Sequence, residues 1–319
     1  MLGSGSDNLH MRSGAGRLIE EALADLWQGV VLWDYPLSRL STLKVGGPAK
    51  AVVFPGNAGE LLKLIKGCKQ IGIQWRVMGR GSNILVADQG VAGVVIVLGP
   101  DFSAIETVNE SPETVLVRVN AGCSLAKLVS WSERQALSGL EFAAGIPGSI
   151  GGALVMNAGA WGSEISNVTT SITLLEQDGQ IYERDRAALP FVYRSWGAPV
   201  GTIALNGTFR LVRGERVRIA GACREVLRQR REKQPLDLAS AGSFFKNPVT
   251  MPAGRLIEEA GLKGCRIGNA MVSDKHANFI VNVGGATADE IKALMRLVQE
   301  KVFVRSGILL EPEVHIWDE

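Results

Sequence analysis

The sequence predicts an α+β fold in more than one domain, and three observations lead there. The chain has 319 residues, more than one hydrophobic core usually organises. Short apolar runs of strand length alternate with amphipathic helical stretches along its first third. In its middle, Asp178-Gly179, a strong turn signal, separates two strand-like segments between Val168 and Arg184 and reads as a two-residue hairpin.

Gly3, Ser4, Gly5 and Ser6 open a stretch that cannot bury a core, so residues 1–15 are expected to be a flexible tail. An amphipathic segment follows from Arg17 to Trp27. A strand is predicted at Ala51 to Phe54, closed by Pro55-Gly56. Asn57 with Glu60 three residues on has the spacing of a helix cap, and Leu61, Leu64, Ile65 and Cys68 mark the buried face of the helix behind it. Strands are predicted at Trp75 to Met78, Ile84 to Ala87 and Val91 to Leu98, which makes 16–98 an α/β unit. The next unit, 99–213, is read as α+β. It holds an alternating strand from Thr114 to Val119, a helix capped by Ser124 and running to Leu137, the hairpin, and a strand from Gly201 to Val212. In the last unit, 214–319, a helix from Val217 to Lys233 carries Arg224, Arg228, Arg230 and Arg231, read as a solvated basic face. Beyond it come a helix near Ala253 to Ala260, a strand at Asn278 to Val283, a helix opened by the Thr287–Glu290 capping box, and a final strand from Ile308 to Trp317.

Composition excludes several function classes. A net charge of +2 supplies no general attraction for nucleic acid, so a small-molecule partner is expected. No run of about 18 apolar residues marks a membrane span and no secretory signal is visible, so the protein is expected in the cytoplasm. The four cysteines, Cys68, Cys123, Cys223 and Cys265, form no CxxC pair. The three histidines, His10, His276 and His315, have no ligand spacing, and no metal site is expected.

Chemistry is carried first by two glycine-rich stretches. Gly79-Arg80-Gly81-Ser82-Asn83 stands at a strand–loop junction, where glycine by itself often only makes a turn. Gly145-Ile146-Pro147-Gly148-Ser149-Ile150-Gly151-Gly152 is denser and offers successive backbone amides unobstructed by side chains, which suits a diphosphate. Together they suggest a dinucleotide cradle. Neither is a Rossmann fingerprint and no P-loop sequence is present, so a Rossmann dehydrogenase and a P-loop NTPase are both disfavoured.

In order along the chain, Leu43-Lys44-Val45-Gly46-Gly47-Pro48-Ala49, the two glycine stretches and Asn157-Ala158-Gly159-Ala160-Trp161-Gly162 resemble the flavin-binding half of the UDP-N-acetylenolpyruvoylglucosamine reductases. The resemblance continues through Tyr193-Arg194-Ser195, Gly242-Ser243-Phe244-Phe245-Lys246-Asn247-Pro248, Ser273 to Phe279, and Leu310-Glu311-Pro312-Glu313-Val314. It covers roughly residues 36 to 316 and is similar to the shorter type of the family. Two departures stand out: Leu40-Ser41-Thr42-Leu43, and Trp161 where tyrosine is common.

The resemblance implies a two-domain FAD-binding fold of the PCMH/vanillyl-alcohol-oxidase type, residues 16–98 and 99–213, followed by a substrate-binding domain at 214–319. It implies reduction of UDP-N-acetylglucosamine enolpyruvate to UDP-N-acetylmuramate, with non-covalent FAD and with NADPH as co-substrate, by a monomer without nucleic-acid or membrane partners. Gly47, Gly79, Arg80, Gly81, Ser82, Asn83, Gly145, Ile146, Pro147, Gly148, Ser149 and Gly152 would hold FAD. Arg194 would bind the substrate carboxylate, since a planar guanidinium can do so bidentately. Ser243 would donate a proton, a role that a hydroxyl fills only in a dry site. Glu313 would be the second acidic or enol-stabilising group; spacing does not separate it from Glu311, and the family motif selects it. Tyr193, Lys233, Lys246, Asn247 and His276 would lie near the UDP-sugar. Two other functions fit parts of the pattern. One is a different FAD oxidase or dehydrogenase of the superfamily, in which Cys68 or Cys123 would be the only candidate flavin tethers. The other is a nucleotide-sugar-binding protein without turnover.

Overall fold

The computed structural model describes residues 14–318. The expected tail lies outside the described residues except for Gly14 and Ala15, which begin α1 (Gly14–Leu26). β1 (Val31–Pro36) and β2 (Pro48–Val53) pair antiparallel. α2 (Ala58–Gln70) leads to β3 (Trp75–Met78), β4 (Ile84–Val86) and β5 (Val91–Val97). β5 lies parallel between β2 and β3, giving the order β1-β2-β5-β3. The α2 cap forms as its spacing predicts: the Asn57 side chain accepts the Glu60 N–H, and the Glu60 carboxylate accepts the Gly56 N–H. Leu61, Leu64, Ile65 and Cys68 then bury against Ala51, Val53, Val94 and Ile96.

The middle of the chain supplies β6 (Ile105–Glu110), β7 (Thr114–Asn120), α3 (Leu125–Arg134), β8 (Leu137–Ser138) and α4 (Ile150–Val155). The short hairpin β9 (Gly159–Ala160) and β10 (Ser163–Glu164) follows, then β11 (Thr169–Leu175), β12 (Ile181–Asp185) and β13 (Ile203–Arg213). The antiparallel sheet β12-β11-β13-β7-β6 buries Val117, Val119, Ile172 and Phe209 against Leu128 of α3 and Leu154 of α4. Three expectations need correction. α3 ends at Arg134, because Ala136 turns to φ +55 and Leu137 joins β8 on β13. The β11–β12 connection has five residues, 176–180, in place of a two-residue loop. The Glu176 N–H reaches the Gln180 carbonyl, the Gly179 N–H reaches the Glu176 carbonyl, and Gly179 takes φ +78. Part of the second glycine stretch is helical, since Ser149 caps α4 by accepting the Gly152 N–H.

α5 (Arg216–Lys233), β14 (Ala239–Ser240), α6 (Ala253–Glu259), β15 (Arg266–Ile267), β16 (Ala270–Val272), β17 (Ile280–Asn282), α7 (Ala288–Ser306) and β18 (His315–Trp317) complete the chain. Their sheet runs β14-β17-β16-β15, and its core gathers Phe244, Phe245, Ile257 and Ile291 with Leu43 and Leu85 from the first unit. Asp88, after β4, accepts the Ala288 and Asp289 N–H groups and so ties the start of α7 to that unit. The final strand is shorter than the sequence suggests. Its first half bonds elsewhere: the Glu311 carbonyl accepts the Lys246 N–H and the Glu313 N–H donates to Phe244. Only 315–317 then run parallel to β4.

Candidate active site

All three units contribute to one cavity of about 710 Å³. The β3–β4 loop lines it with Gly79, Arg80, Gly81, Ser82 and Asn83, and the approach to α4 with Ile146, Pro147, Gly148, Ser149 and Gly152. The two loops are joined by the Ser82 hydroxyl, which donates to the Pro147 carbonyl at 3.1 Å. Glycine is needed for this approach. A Cβ on Gly79 would sit 2.2 Å from Ser149 Oγ, and Gly148 has φ +138. No described residue accepts from the backbone amides of 80–83, 148 or 149, so these donors remain for a ligand anion. Gly148→Val should therefore yield folded protein with little bound FAD, read as the flavin-to-protein absorbance ratio, and full occupancy would refute the role of this loop. Gly47 and Gly145, both expected at the cofactor, are outside the lining. Gly47 lets its chain pass the Asp88 carbonyl, 2.0 Å from where a Cβ would stand, and Gly145 packs on Leu227 and Arg230 of α5.

The reacting end is assembled by a segment held on two sides. Asn278 accepts the Phe245 N–H at its side-chain oxygen and donates to the Phe245 carbonyl, while the Phe244 N–H donates to the Asn278 carbonyl. The opposite side of the segment carries the 311–313 bonds. Ser243 and Glu313 are thereby brought to the same cavity, and the Ser243 hydroxyl has no hydrogen-bond partner among the described residues. Asn83 fixes the strand bearing Glu313 to the first glycine loop, its side chain donating to the Glu313 carbonyl and its own carbonyl accepting the His315 N–H. Arg194 is presented by a tight turn between Val192 and Ser195, in which it has φ +59. Buried Asn157 holds that turn by donating to the Val192 carbonyl.

Arg194 Nε lies 2.8 Å from Glu313 Oε1, with the two side chains 19% and 13% exposed. The contact is a close, largely buried ion pair. Burial raises the Glu313 pKa above the ordinary carboxylate value, outweighing the opposing pull of Arg194 and Lys246.

Of the residues expected near the sugar, Asn247 and His276 line the cavity. The His276 Nδ1 accepts the Asn278 N–H, its ring meets Phe279 edge to face at 4.9 Å, and burial lowers its pKa. Tyr193, Lys233 and Lys246 stand outside the lining. The Tyr193 hydroxyl accepts the Asn247 N–H, Lys233 Nζ lies 5.3 Å from the Trp161 ring centre, and Lys246 pairs with exposed Glu311 at 3.2 Å. The structure adds Trp161, Arg230, Gln234 and His315 to the lining. Arg230 is the exception to the reading of the α5 charge as mostly a solvated face, because it is 8% exposed. It shares a buried stripe with Ile219 and Cys223, a spacing of four and seven residues that the sequence already contains. Neither Cys68 nor Cys123 lines the cavity, and burial pushes the Cys68 thiol up to about 11, which removes both as flavin tethers.

Residues 234–317 match the family described as UDP-N-acetylenolpyruvoylglucosamine reductase, C-terminal domain, and residues 49–184 match an FAD-binding domain. A UDP-N-acetylenolpyruvoylglucosamine reductase of Syntrophus aciditrophicus is 41% identical over 301 residues, 94% of this chain and 96% of the relative. The chain belongs to the UDP-N-acetylenolpyruvoylglucosamine reductase family. The reductase of Caldicellulosiruptor saccharolyticus is 43% identical over 292 residues, 90% of this chain and 92% of that one. The crystal structure of the reductase from Thermus caldophilus superposes with a TM-score of 0.78 at 36% identity, covering 91% of this chain and 98% of the other. As a family member the chain is an FAD-dependent oxidoreductase, and the family's reaction is the NADPH-driven reduction of UDP-N-acetylglucosamine enolpyruvate to UDP-N-acetylmuramate for peptidoglycan. The cavity fits FAD on its own features: free loop amides for a diphosphate, glycines where a Cβ would fill the cradle, and the buried cation Arg230, which has no partner among the described residues. Among the described residues no helix is long and apolar enough to cross a membrane, and no group of side chains could hold a metal ion.

Proposed function

We propose that Arg194, Glu313 and Ser243 carry out the protein's part of this reduction. The observation that carries the proposal is the convergence of a guanidinium, the desolvated carboxyl paired with it and an unpartnered hydroxyl at one end of the FAD cavity. FAD, when bound, accepts reducing equivalents from NADPH and delivers hydride to the vinyl carbon of the substrate. Loop amides of 80–83, 148 and 149 would hold its diphosphate, and the glycine cradle keeps side chains out of that space. Arg194 binds the substrate carboxylate and stabilises the negative charge that gathers there as the double bond is reduced. Glu313, protonated when Arg194 turns to the substrate, hydrogen-bonds the same developing enolate. Ser243 delivers a proton to the carbon beside the carboxylate. Asn247 and His276 line the sugar side, with Tyr193 positioning Asn247.

The sign of the pH dependence follows from the raised Glu313 pKa. Protonated Glu313 is lost as pH rises through that value, so substrate-dependent reoxidation of reduced enzyme should slow with rising pH. Glu313→Gln, neutral at every pH, should be slower overall and should lose that limb of the profile. A limb that persists unchanged in the variant would assign it to another group.

The domain reading proposed here is two FAD-binding units, 16–98 and 99–213, and a substrate-binding unit, 214–319. It is supported by three larger sheets, one in each unit, while the β18–β4 pair and Leu43 and Leu85 join the first unit to the third. A cytoplasmic monomer is the proposed working form, because NADPH and nucleotide sugars are cytoplasmic and one chain supplies every wall of the cavity. A dimer in sedimentation equilibrium would overturn the monomer.

A further inference from the structure

Arg230 and Gln234 lie one helical turn apart where α5 ends, and both line the cavity. Arg230 is 8% exposed and has no carboxylate partner among the described residues, and its buried Nε–H has no acceptor. Gln234 Oε1, also buried, has no donor. Burying an unpaired guanidinium beside an unmet acceptor is costly, so such a pair implies a ligand that completes it. Desolvation accordingly lowers the Arg230 pKa. A buried donor and a buried acceptor one helical turn apart on the same cavity match an imide edge, whose carbonyl accepts from the guanidinium and whose N–H donates to the amide oxygen.

Two molecules of the reaction carry that edge: the pyrimidine end of the flavin and the uracil of the UDP-sugar. The flavin is favoured by position. Arg230 packs its Cδ and Nε against Gly145, each 3.1 Å from where a Cβ would stand, and Gly145 directly precedes Ile146, Pro147 and Gly148 of the cavity lining. A charge so deeply buried also suits a resident group better than a substrate that exchanges at every turnover. We propose that Arg230 and Gln234 hold the imide edge of the flavin, and that the Arg230 charge favours the reduced ring over the oxidised one. The inference rests on the assignment of this cavity to FAD.

The test is the two-electron midpoint potential of the flavin in wild type, Arg230→Met and Arg230→Lys, measured with the affinity for oxidised FAD and for the UDP-sugar. Arg230→Met should lower the potential by about 30 mV for each tenfold of preference for reduced flavin that is lost. Lysine should restore part of the shift, and UDP-sugar affinity should stay within about threefold of wild type. An unchanged potential with weakened UDP-sugar binding would move the pair to uracil, and an unchanged potential with weakened FAD binding would move Arg230 to the diphosphate. Either result overturns the proposal. Should Arg230→Met fail to fold, wild-type apoprotein can be titrated with FAD methylated at the imide nitrogen, which cannot donate to Gln234. Binding at least tenfold weaker than that of FAD is expected, and equal binding overturns the proposal. Wild type that binds no FAD would instead overturn the cavity assignment, an outcome distinct from FAD-replete protein whose potential ignores Arg230.

Discussion

Arg194→Ala should slow reoxidation of reduced enzyme by the enolpyruvyl UDP-sugar about a hundredfold, the ~3 kcal/mol expected when a charge partner of the transition state is removed. Reduction of the flavin by NADPH should be nearly unaffected, because Arg194 faces the electrophilic substrate. The geometry makes this variant unusually informative. Glu313 is the ion-pair partner of Arg194, and deleting the guanidinium leaves a buried carboxyl that protonates more readily and cannot replace the lost positive charge. Stopped-flow measurement of each half-reaction separates the possibilities. Equal slowing of both would mean that the substitution disturbs FAD or the fold, and the carboxylate role would be withdrawn. Glu311→Gln should be nearly silent in both, since Glu311 is exposed, pairs with Lys246 and does not line the cavity.

Ser243→Ala should produce the second large effect, and it isolates proton transfer. The change removes one hydroxyl and no formal charge, and the Ser243 side chain holds no hydrogen bond that the fold requires. Folding, FAD content and NADPH-dependent bleaching should survive, while reoxidation by substrate falls steeply. Cysteine sharpens the test, because a thiol is more acidic than an alcohol and can still donate, so Ser243→Cys should recover part of the lost rate. An alanine variant that reoxidises within about threefold of wild type would assign the proton to water or another group. Ser243 would then be a turn residue beside the site.

What could be read from the sequence depended on how local the physics is. The two glycine loops were legible because open backbone amides and close approach demand glycine at fixed positions, and the structure places both on one cavity. Gly47 and Gly145 obey the same demand for a different reason, backbone and helix packing, which sequence alone does not distinguish from ligand contact. Ser243 and Glu313 are 70 residues apart, and only motif order linked them; the bonds that join them run through Asn278 and Phe244, which no local pattern announces. The last strand was overextended because 311–313 is extended but divides its bonds between two partners. Arg230 was hidden by its neighbours. The many charges on α5 obscure a buried stripe that ends in an arginine. Lys233 and Lys246 were expected at the sugar, and the structure places both outside the cavity lining, Lys233 over Trp161 and Lys246 paired with Glu311.

The central claim is that this chain binds FAD and uses it to pass reducing equivalents from NADPH to an enolpyruvyl UDP-sugar. It is tested most directly by an anaerobic titration of the purified protein. The protein should be yellow, the flavin band should bleach on addition of NADPH, and the band should return when UDP-N-acetylglucosamine enolpyruvate is added, with UDP-N-acetylmuramate formed in equal amount to the NADPH consumed. Colourless protein that cannot be reconstituted with FAD, or reduced flavin that persists in the presence of the enolpyruvyl sugar, would contradict it.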